Sequence, residues 1–377
     1  MSGKGRGGAE RRHLGVSIRV HTTSGVPSNV ADVRAHFPDR LPHLPAFDAC
    51  ALLDYPLHPN PGDHMLFLAA LVWLSRQCDP SQIYLAHRLN FSKAGLTRKI
   101  GDNPIFCLGG GNLGDLWPNP QRFRESVVRA CLSQPITLLP QCMYFRDPQN
   151  LDRARKIFGE HPRLAIMLRD PVSFALAREH FGPNCLLTPD QAVLLADVIS
   201  PRDPGTRKGS FFLCRGMGDP EAARDLLGFQ RAAPIPSGNW DSMGFGGFLN
   251  GIGVFLNGGK APTPSAGDMP AALWEIARKV HRPGYVVRSW RIVRQSIRQL
   301  DRYDLVITDR FHGHILCAIR NIPHVVVGNN HHKIRSHWEQ WMHRVPGAAF
   351  AQRPGDLNGA LARVAGNVAV ATGTSTG

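Results

Sequence analysis

Residues 305–314 read LVITDRFHGH, an apolar string that changes abruptly into charged and aromatic residues. The string from Leu305 to Thr308 predicts a short buried strand, and residues 314–320 predict a helix. Strings of this length, separated by helical stretches, recur from residue 48 onward. This alternation is typical of parallel sheets with helices on both faces. We therefore expect an α/β fold.

A Pro-, Asp- and Arg-rich stretch near residues 197–207 divides the alternating pattern into two runs. The pattern predicts two doubly wound, Rossmann-like domains, residues 46–199 and 205–345, that face each other across a cleft. Residues 64–76 are expected to be helical and residues 285–287 to form a strand. The remaining segments are a loosely ordered basic lead-in (1–45), a Gly/Pro-rich insertion (231–268) and a C-terminal extension and tail (346–377).

The composition limits the partners and the compartment of the chain. Its 377 residues include 44 Lys and Arg against 29 Asp and Glu, a net charge of +15, which attracts polyanions, anionic lipid headgroups or small anionic substrates. The eight cysteines form no CxxC motif, which favours a reduced, cytoplasmic protein. The longest apolar run, residues 65–74, is too short to cross a bilayer. We expect a cytoplasmic protein, with peripheral contact at the anionic inner face of the membrane as a further expectation.

Two loops after predicted strands have unusual content, and ligands of doubly wound sheets bind beyond the carboxyl ends of the strands. In the first loop, Asn60 and Gly62 give a turn and Asp63 is placed at a helix N-cap, from which its carboxylate either caps the helix or points into the cleft. The second loop contains Gly109, Gly110 and Gly111, followed by Asn112 and Asp115. Consecutive glycines let backbone N–H groups approach an anion, although a merely tight turn stays open as the alternative.

Basic residues follow several of the predicted strands. Arg169 and Arg215 offer planar donor forks for phosphate or carboxylate, although Arg169 can instead pair with Asp170 or be solvated. Arg310 and His312 are two positions apart, so in an extended backbone both side chains would face the same side. They predict an anion clamp beside a general acid/base, against the alternative of a histidine satisfied within a helix start.

Other polar residues near the second run are weaker candidates. Lys333 follows a predicted strand, so it either reaches the same cleft or is solvated. The histidines at 312, 314, 331, 332 and 337 have no HExxH spacing or carboxylate partner in sequence, and we expect no metal.

These loops, in this order, resemble those of the polysaccharide pyruvyl transferase family. The resemblance covers roughly residues 48–345. Its departures are Pro61 within the first turn, the continuation of the glycine loop into Leu113-Gly114-Asp115, and the unmatched segment 231–268. The matching pieces, in chain order, are Asn60-x-Gly62-Asp63, Gly109-Gly110-Gly111-Asn112, Leu168-Arg169-Asp170 with Ser173, Thr188-Pro189-Asp190-x-Ala192, Asp304-x-x-Ile307-Thr308-x-Arg310-x-His312, Ile322-Pro323 and Lys333.

The resemblance implies a fold similar to GT-B glycosyltransferases and a role in exopolysaccharide biosynthesis. The donor would be phosphoenolpyruvate, and the acceptor a sugar of a polysaccharide or its lipid-linked precursor that receives a pyruvate ketal. Arg310, Arg215 and the glycine turn would hold the donor anion without a cofactor. His312 would move protons, because histidine ordinarily exchanges protons near neutral pH. Asp63 or Asp115 would orient or deprotonate an acceptor hydroxyl.

Two other functions stay open at this point. A GT-B-type glycosyltransferase would use the same cleft for a nucleotide sugar, and a nucleoside diphosphate would then stabilise it. A basic anion- or nucleic-acid-binding protein is suggested by the net charge alone. Because the sequence has no recognisable DNA- or RNA-binding motif, we expect no nucleic-acid partner.

Overall fold

The computed structural model describes residues 29–202, 209–214, 226–232, 235–240, 253–254, 256, 269–328 and 332–372. Several helices begin with an Asx residue followed by proline. Asn60, Asp147 and Asp170 each accept a backbone N–H bond from the first helical turn, and a proline occupies the next position. Proline is favoured there because it has no N–H to satisfy. Local sequence therefore fixes where these helices start.

The first sheet has seven parallel strands in the order β2-β1-β3-β5-β6-β7, with β4 also paired to β5. Alternate residues of β1 enter different cores, since Leu52 and Leu53 belong to separate apolar clusters. The sheet is therefore buried on both faces. The strands are β1 (Cys50–Leu53), β2 (Ile83–Ala86), β3 (Ile105–Cys107), β4 (Gly110–Gly114), β5 (Ile136–Tyr144), β6 (Leu164–Leu168) and β7 (Cys185–Leu187). The helices before and between them are α1 (Val30–Ala35), α2 (Pro61–Leu74), α3 (Lys93–Ile100), α4 (Pro118–Ala130), α5 (Pro148–Glu160) and α6 (Pro171–Phe181).

The second sheet has five parallel strands in the order β12-β11-β10-β8-β9. They are β8 (Ser210–Leu213), β9 (Ser237–Gly238), β10 (Leu305–Thr308), β11 (His324–Val327) and β12 (Ala348–Ala351). The helices are α7 (Leu226–Ala232), α8 (Ala271–Lys279), α9 (Pro283–Leu300), α10 (Phe311–Ile319), α11 (Lys333–His337) and α12 (Leu357–Thr372). Short helical turns occupy Pro80–Gln82, Gln191–Asp197, Trp338–Met342 and Pro354–Asp356.

The parallel, Rossmann-like α/β architecture is confirmed, but two element predictions are wrong. Residues 285–287 are not a strand: they lie in the first turn of α9, where Tyr285, Val286 and Val287 are all buried. A short apolar run that is buried on every side has no periodicity that separates strand from helix. Helix α2 begins at Pro61, not at residue 64, because Asn60 caps it. The arrangement of two domains across a cleft stays a prediction.

Both ends of the predicted α/β region extend further than expected. Val33, Phe37 and Leu41 are buried in the core, so residues 30–41 are not loosely ordered. Only Val33 lies in α1, and Phe37 and Leu41 pack from the segment that follows the helix, so no regular spacing in the sequence marks them as core residues. The second sheet continues past residue 345, because Ala348–Ala351 pairs with β11. The insertion at 231–268 lies largely outside the described residues. Among the helices that the structure describes, none is long and apolar enough to span a membrane.

Candidate active site

The loop between β1 and α2 is held by the side chain of Asn60. Its Oδ1 accepts a bond from Gly62 N at 3.1 Å, and its Nδ2 donates to Asp63 Oδ2 at 3.0 Å. Asp63 is therefore in the first turn of α2 and is not the N-cap, contrary to the prediction. Its carboxylate is 23% exposed and lies 3.5 Å from His58 Nε2. Because Asn60 supplies the cap, the carboxylate of Asp63 stays available to a ligand.

A buried arginine of α9 fixes the same loop from behind. Arg288 Nη2 donates to the carbonyl of Leu57 at 2.7 Å, and its Nη1 donates to the carbonyl of Pro56 at 3.2 Å. His64 bridges Ser289 Oγ and the carbonyl of His58, at 2.8 and 2.9 Å. Satisfied buried polar groups of this kind rigidify a loop. The start of α2 is thus preorganised by a helix from the second half of the chain.

The imidazole of His312 packs directly onto Gly62. A Cβ built on Gly62 would lie 2.7 Å from His312 Cγ and 3.0 Å from His312 Cβ, with Nδ1 closer still. Carbon atoms in contact are about 3.5–4.0 Å apart, so no larger residue fits at Gly62 without moving the ring. The second-half loop with His312 and the first-half turn with Gly62 therefore form one site.

Behind His312 lies a buried ion pair. Asp190 Oδ2 is 3.6 Å from His312 Nε2 and 2.5 Å from Arg169 Nη1, while its Oδ1 accepts a backbone bond from Ala192 N at 2.8 Å. Burial opposes ionisation, but Arg169 and His312 outweigh it and hold the pKa of Asp190 below its ordinary value. An ionised carboxylate beside an imidazole orients the ring.

Arg169 is placed differently from the prediction that it faces a ligand. It is 2% exposed, donates through Nε to Cys142 Sγ at 2.9 Å, and stacks 3.9 Å above the Phe311 ring. Its partner is Asp190, not Asp170, because Asp170 caps α6 through Ser173 N. Because its guanidinium is occupied in this way, Arg169 holds the carboxylate of Asp190 in place.

The predicted glycine turn is mostly a strand, because Gly110–Gly114 forms β4 along β5. A Cβ on Gly109 would lie 2.6 Å from Gln191 Oε1, so glycine is required for close packing there. A Cβ on Gly110 would lie 3.7 Å from Asp63 Oδ1 and 3.8 Å from Asn112 Nδ2. Gly110 and Asn112 therefore adjoin Asp63.

A lysine from the second half of the chain reaches this strand. Lys333 is 3% exposed, and its Nζ donates to the carbonyl of Gly111 at 3.2 Å. Arg124 Nη2 donates to Asn112 Oδ1 at 2.7 Å, which fixes the amide next to the lysine contact. These contacts join residues of both halves of the chain at the carboxyl edges of the two sheets. The residues are Asn60, Gly62, Asp63, the 110–112 segment, Asp190, His312 and Lys333.

The sequence model of the polysaccharide pyruvyl transferase family matches residues 60–331. The chain belongs to this family. It is 33% identical over 303 residues to EpsO of Bacillus subtilis, a candidate pyruvyl transferase by name, covering 79% of this chain and 87% of EpsO. It is 28% identical to pyruvyl transferase 1 of Schizosaccharomyces pombe, over 78% of this chain and 69% of that protein. The protein is therefore a transferase of polysaccharide biosynthesis.

A solved structure supports the fold alone. A functionally uncharacterised protein of Klebsiella pneumoniae superposes with a TM-score of 0.50 at 13% identity, covering 81% of this chain and 93% of that chain.

The family resemblance assigns two arginines to the donor, and the structure describes one of them. Arg215 lies outside the described residues. Arg310 is the N-cap residue of α10, and its guanidinium lies 5.9 Å from the centroid of the Trp240 ring. The backbone is extended at Arg310 but helical from Phe311, so the expectation that Arg310 and His312 face the same side because both lie on an extended backbone is wrong.

Asp115 supports a loop and does not join the contacts around His312. Its carboxylate accepts bonds from Arg146 N at 2.8 Å and Asp147 N at 2.8 Å, and Asn150 Nδ2 donates to it at 3.3 Å. Burial raises its pKa, but these bonds outweigh burial and lower the pKa overall. The carboxylate is thus committed to the backbone between β5 and α5.

Two buried residues of this pyruvyl transferase site carried no predicted role. Asp190 appeared only within a motif, and His337 only within a histidine cluster. His337 is 0% exposed, its ring centroid lies 4.7 Å from that of Phe311, and burial lowers its pKa to about 3. The sequence offered one indication for Asp190: it follows a short strand, and ligands of parallel sheets bind beyond the carboxyl ends of the strands. In the part of the chain that the structure describes, no group of three or more His, Cys, Asp or Glu is arranged to hold a metal.

Proposed function

We propose that this chain transfers the enolpyruvyl group of phosphoenolpyruvate onto a sugar of a polysaccharide or its lipid-linked precursor, as a cyclic pyruvate ketal. The observation that carries the proposal is the position of His312, seated on Gly62 with Asp190 3.6 Å behind its Nε2. An imidazole next to a buried carboxylate is a pairing that general acid/base catalysis uses. Membership of the pyruvyl transferase family supports the same reaction.

The reaction needs one proton delivered to carbon and two hydroxyl protons removed. The first sugar hydroxyl attacks C2 of phosphoenolpyruvate while His312 gives a proton to C3, which turns the methylene into a methyl group. Asp63 accepts the proton of that hydroxyl. The second hydroxyl then attacks C2 and expels phosphate, whose oxygen or the neutral His312 takes the last proton. The products are the ketal and inorganic phosphate.

The donor carries a phosphate and a carboxylate, so its site needs cations and backbone donors. Two described cations contact the Gly110–Asn112 segment: Lys333 through the carbonyl of Gly111, and the buried Arg124 through Asn112. We assign Lys333, Arg310 and Arg215 to the donor anion, together with the amides of the glycine segment. Arg169 is a positioning residue for Asp190, since its guanidinium is buried against that carboxylate. No cofactor enters this scheme.

The acceptor hydroxyls are assigned to Asp63 and its neighbour Asn60. Asp63 retains an exposed edge, and Asn60 fixes its carboxylate through a 3.0 Å bond. Charged hydrogen bonds to a sugar hydroxyl are about twice as strong as neutral ones. Asp115 is left out of the acceptor site because its oxygens are engaged by backbone N–H groups.

The same contacts support a GT-B-like arrangement of two domains. Gly62 and Gly111 belong to the part of the chain that forms the first sheet, and their partners His312 and Lys333 to the part that forms the second. A site shared in this way lies between the two units.

All eight cysteines are free, which supports a reducing, cytoplasmic location. The net charge of +15 supports peripheral contact with an anionic membrane.

The test is a panel of donors and a labelled product. Thermal shift with phosphoenolpyruvate and with nucleoside diphosphate sugars should give stabilisation by phosphoenolpyruvate only. With an acceptor in D2O, phosphate release should accompany one solvent-derived deuteron in the product methyl group. Stabilisation by a nucleotide sugar, with no phosphate release from phosphoenolpyruvate, would contradict the proposal and favour glycosyl transfer.

A further inference from the structure

Trp117 is presented to solvent at the end of the segment that carries Gly110–Asn112. Its side chain is 42% exposed, and it occupies the N-cap position of α4. It makes no side-chain cap bond there, and N-caps are ordinarily Ser, Thr, Asp or Asn. Tryptophan therefore serves neither the core nor the helix start. Positions at which a residue departs from a local rule are frequent among functional sites.

The loop beneath Trp117 is rigid. Gly114 has φ +129, and a Cβ there would lie 2.6 Å from the carbonyl carbon of Tyr144. Gly114 N donates to Gln121 Oε1 at 3.1 Å, and Asp115 accepts the backbone N–H groups of Arg146 and Asp147. The indole is thus held on a fixed backbone, and a ligand that stacks on it pays little ordering entropy.

The position of Trp117 along the chain limits its distance from the candidate site. Six residues separate it from Gly111, which at about 3.3 Å per extended residue is at most about 20 Å. An oligosaccharide of several sugar rings spans a distance of that order. An exposed aromatic face packs against the C–H face of a sugar ring while the hydroxyl groups stay in water.

We propose that Trp117 is a stacking platform for a sugar ring of the acceptor, away from the sugar that receives the ketal. This proposal rests on the proposed function, since it takes the acceptor to be an oligosaccharide or polysaccharide. It assigns Asp115 and Gly114 a purpose that the reaction itself does not give them, namely support of the platform. It also makes acceptor length a determinant of specificity.

The test compares Trp117→Ala with Leu132→Ala. Leu132 is 53% exposed just beyond the other end of α4, so both changes remove an exposed apolar side chain next to the same helix. We expect Trp117→Ala to raise KM for an oligosaccharide acceptor about tenfold. KM for phosphoenolpyruvate and for a monosaccharide acceptor should be unchanged, and Leu132→Ala should behave as wild type. Trp117→Phe should restore most of the affinity, because it keeps an aromatic face.

Direct binding separates this proposal from the proposed function. Saccharide is titrated against the indole fluorescence of wild type and of Trp117→Phe without any donor. Quenching that depends on Trp117 supports the platform even if phosphoenolpyruvate is not the donor. Equal oligosaccharide affinity and KM in wild type and Trp117→Ala would overturn the platform, even if pyruvyl transfer proceeds.

Discussion

Gly62→Ala tests how tightly the turn before α2 sets the position of His312. The added Cβ would lie 2.7 Å from His312 Cγ, whereas a relaxed contact needs about 3.5 Å. The ring must therefore retreat by about 1 Å. Because the Cβ of His312 would also be only 3.0 Å away, the first turn of α10 moves with it.

The expected result is a loss of rate with little loss of fold. A displacement of about 1 Å at a reacting group costs on the order of 10²-fold in rate, so kcat should fall by about that factor. Overpacking should cost about 1–3 kcal/mol of unfolding free energy. KM for phosphoenolpyruvate should change less than threefold, since the donor is assigned to other residues. The assay is phosphate release at saturating substrates, together with urea unfolding.

Gly159→Ala is the matched control for the same substitution. A Cβ on Gly159, in the last turns of α5, would meet nothing within 4 Å. It should keep wild-type kcat and gain up to about 1 kcal/mol, because alanine favours a helix over glycine. If Gly62→Ala keeps kcat within threefold of wild type, His312 is not held by that contact and the reasoning fails.

Three further predictions concern stability. Asp115→Asn should lower the free energy of unfolding by about 1 kcal/mol, because the bonds from Arg146 N and Asp147 N become weaker. It should leave kcat within threefold of wild type. A large loss of kcat would instead give Asp115 a catalytic role. Arg169→Met should lower the free energy of unfolding, measured in urea, by about 3–5 kcal/mol, because it leaves the Asp190 carboxylate buried and unpaired. The same substitution of an exposed arginine should lower it by under about 0.5 kcal/mol. Burial lowers the pKa of His324 to about 4 and that of His337 to about 3, below the unfolded value of about 6.5. The unfolded state then binds more protons below pH 6.5, so the free energy of unfolding should fall on acidification, by about 3 kcal/mol for the two residues between pH 6.5 and 5. Equal unfolding free energies at these pH values would contradict that assignment.

The sheets were predictable because their apolar strings are short and regularly spaced. Leu305–Thr308 and Leu164–Leu168 are buried strands as their composition indicates. The strand expected at 285–287 failed because a run of three apolar residues is too short to show a helical period, although it continues into the amphipathic helix α9. Val33 and Phe37 were missed for a different reason, since they are isolated apolar residues in a stretch rich in loop-forming residues.

The site was predictable where its residues follow strands, and less so where partners are distant in sequence. Sequence order placed Gly62, Gly111, His312 and Lys333 in candidate loops, and the structure brings them together in pairs. The partner of Arg169 was not predictable from its neighbours, because Asp170 turns back to cap α6 and leaves Asp190 to form the ion pair. Only the fold joins residues so far apart along the chain.

The most direct test of proton transfer by His312 is a single turnover of His312→Ala with bound phosphoenolpyruvate and excess acceptor. We expect ketal formation to slow by about 10²–10⁴-fold, with the Kd for phosphoenolpyruvate within threefold of wild type. Wild-type turnover by His312→Ala at equal donor occupancy would show that another group moves the proton.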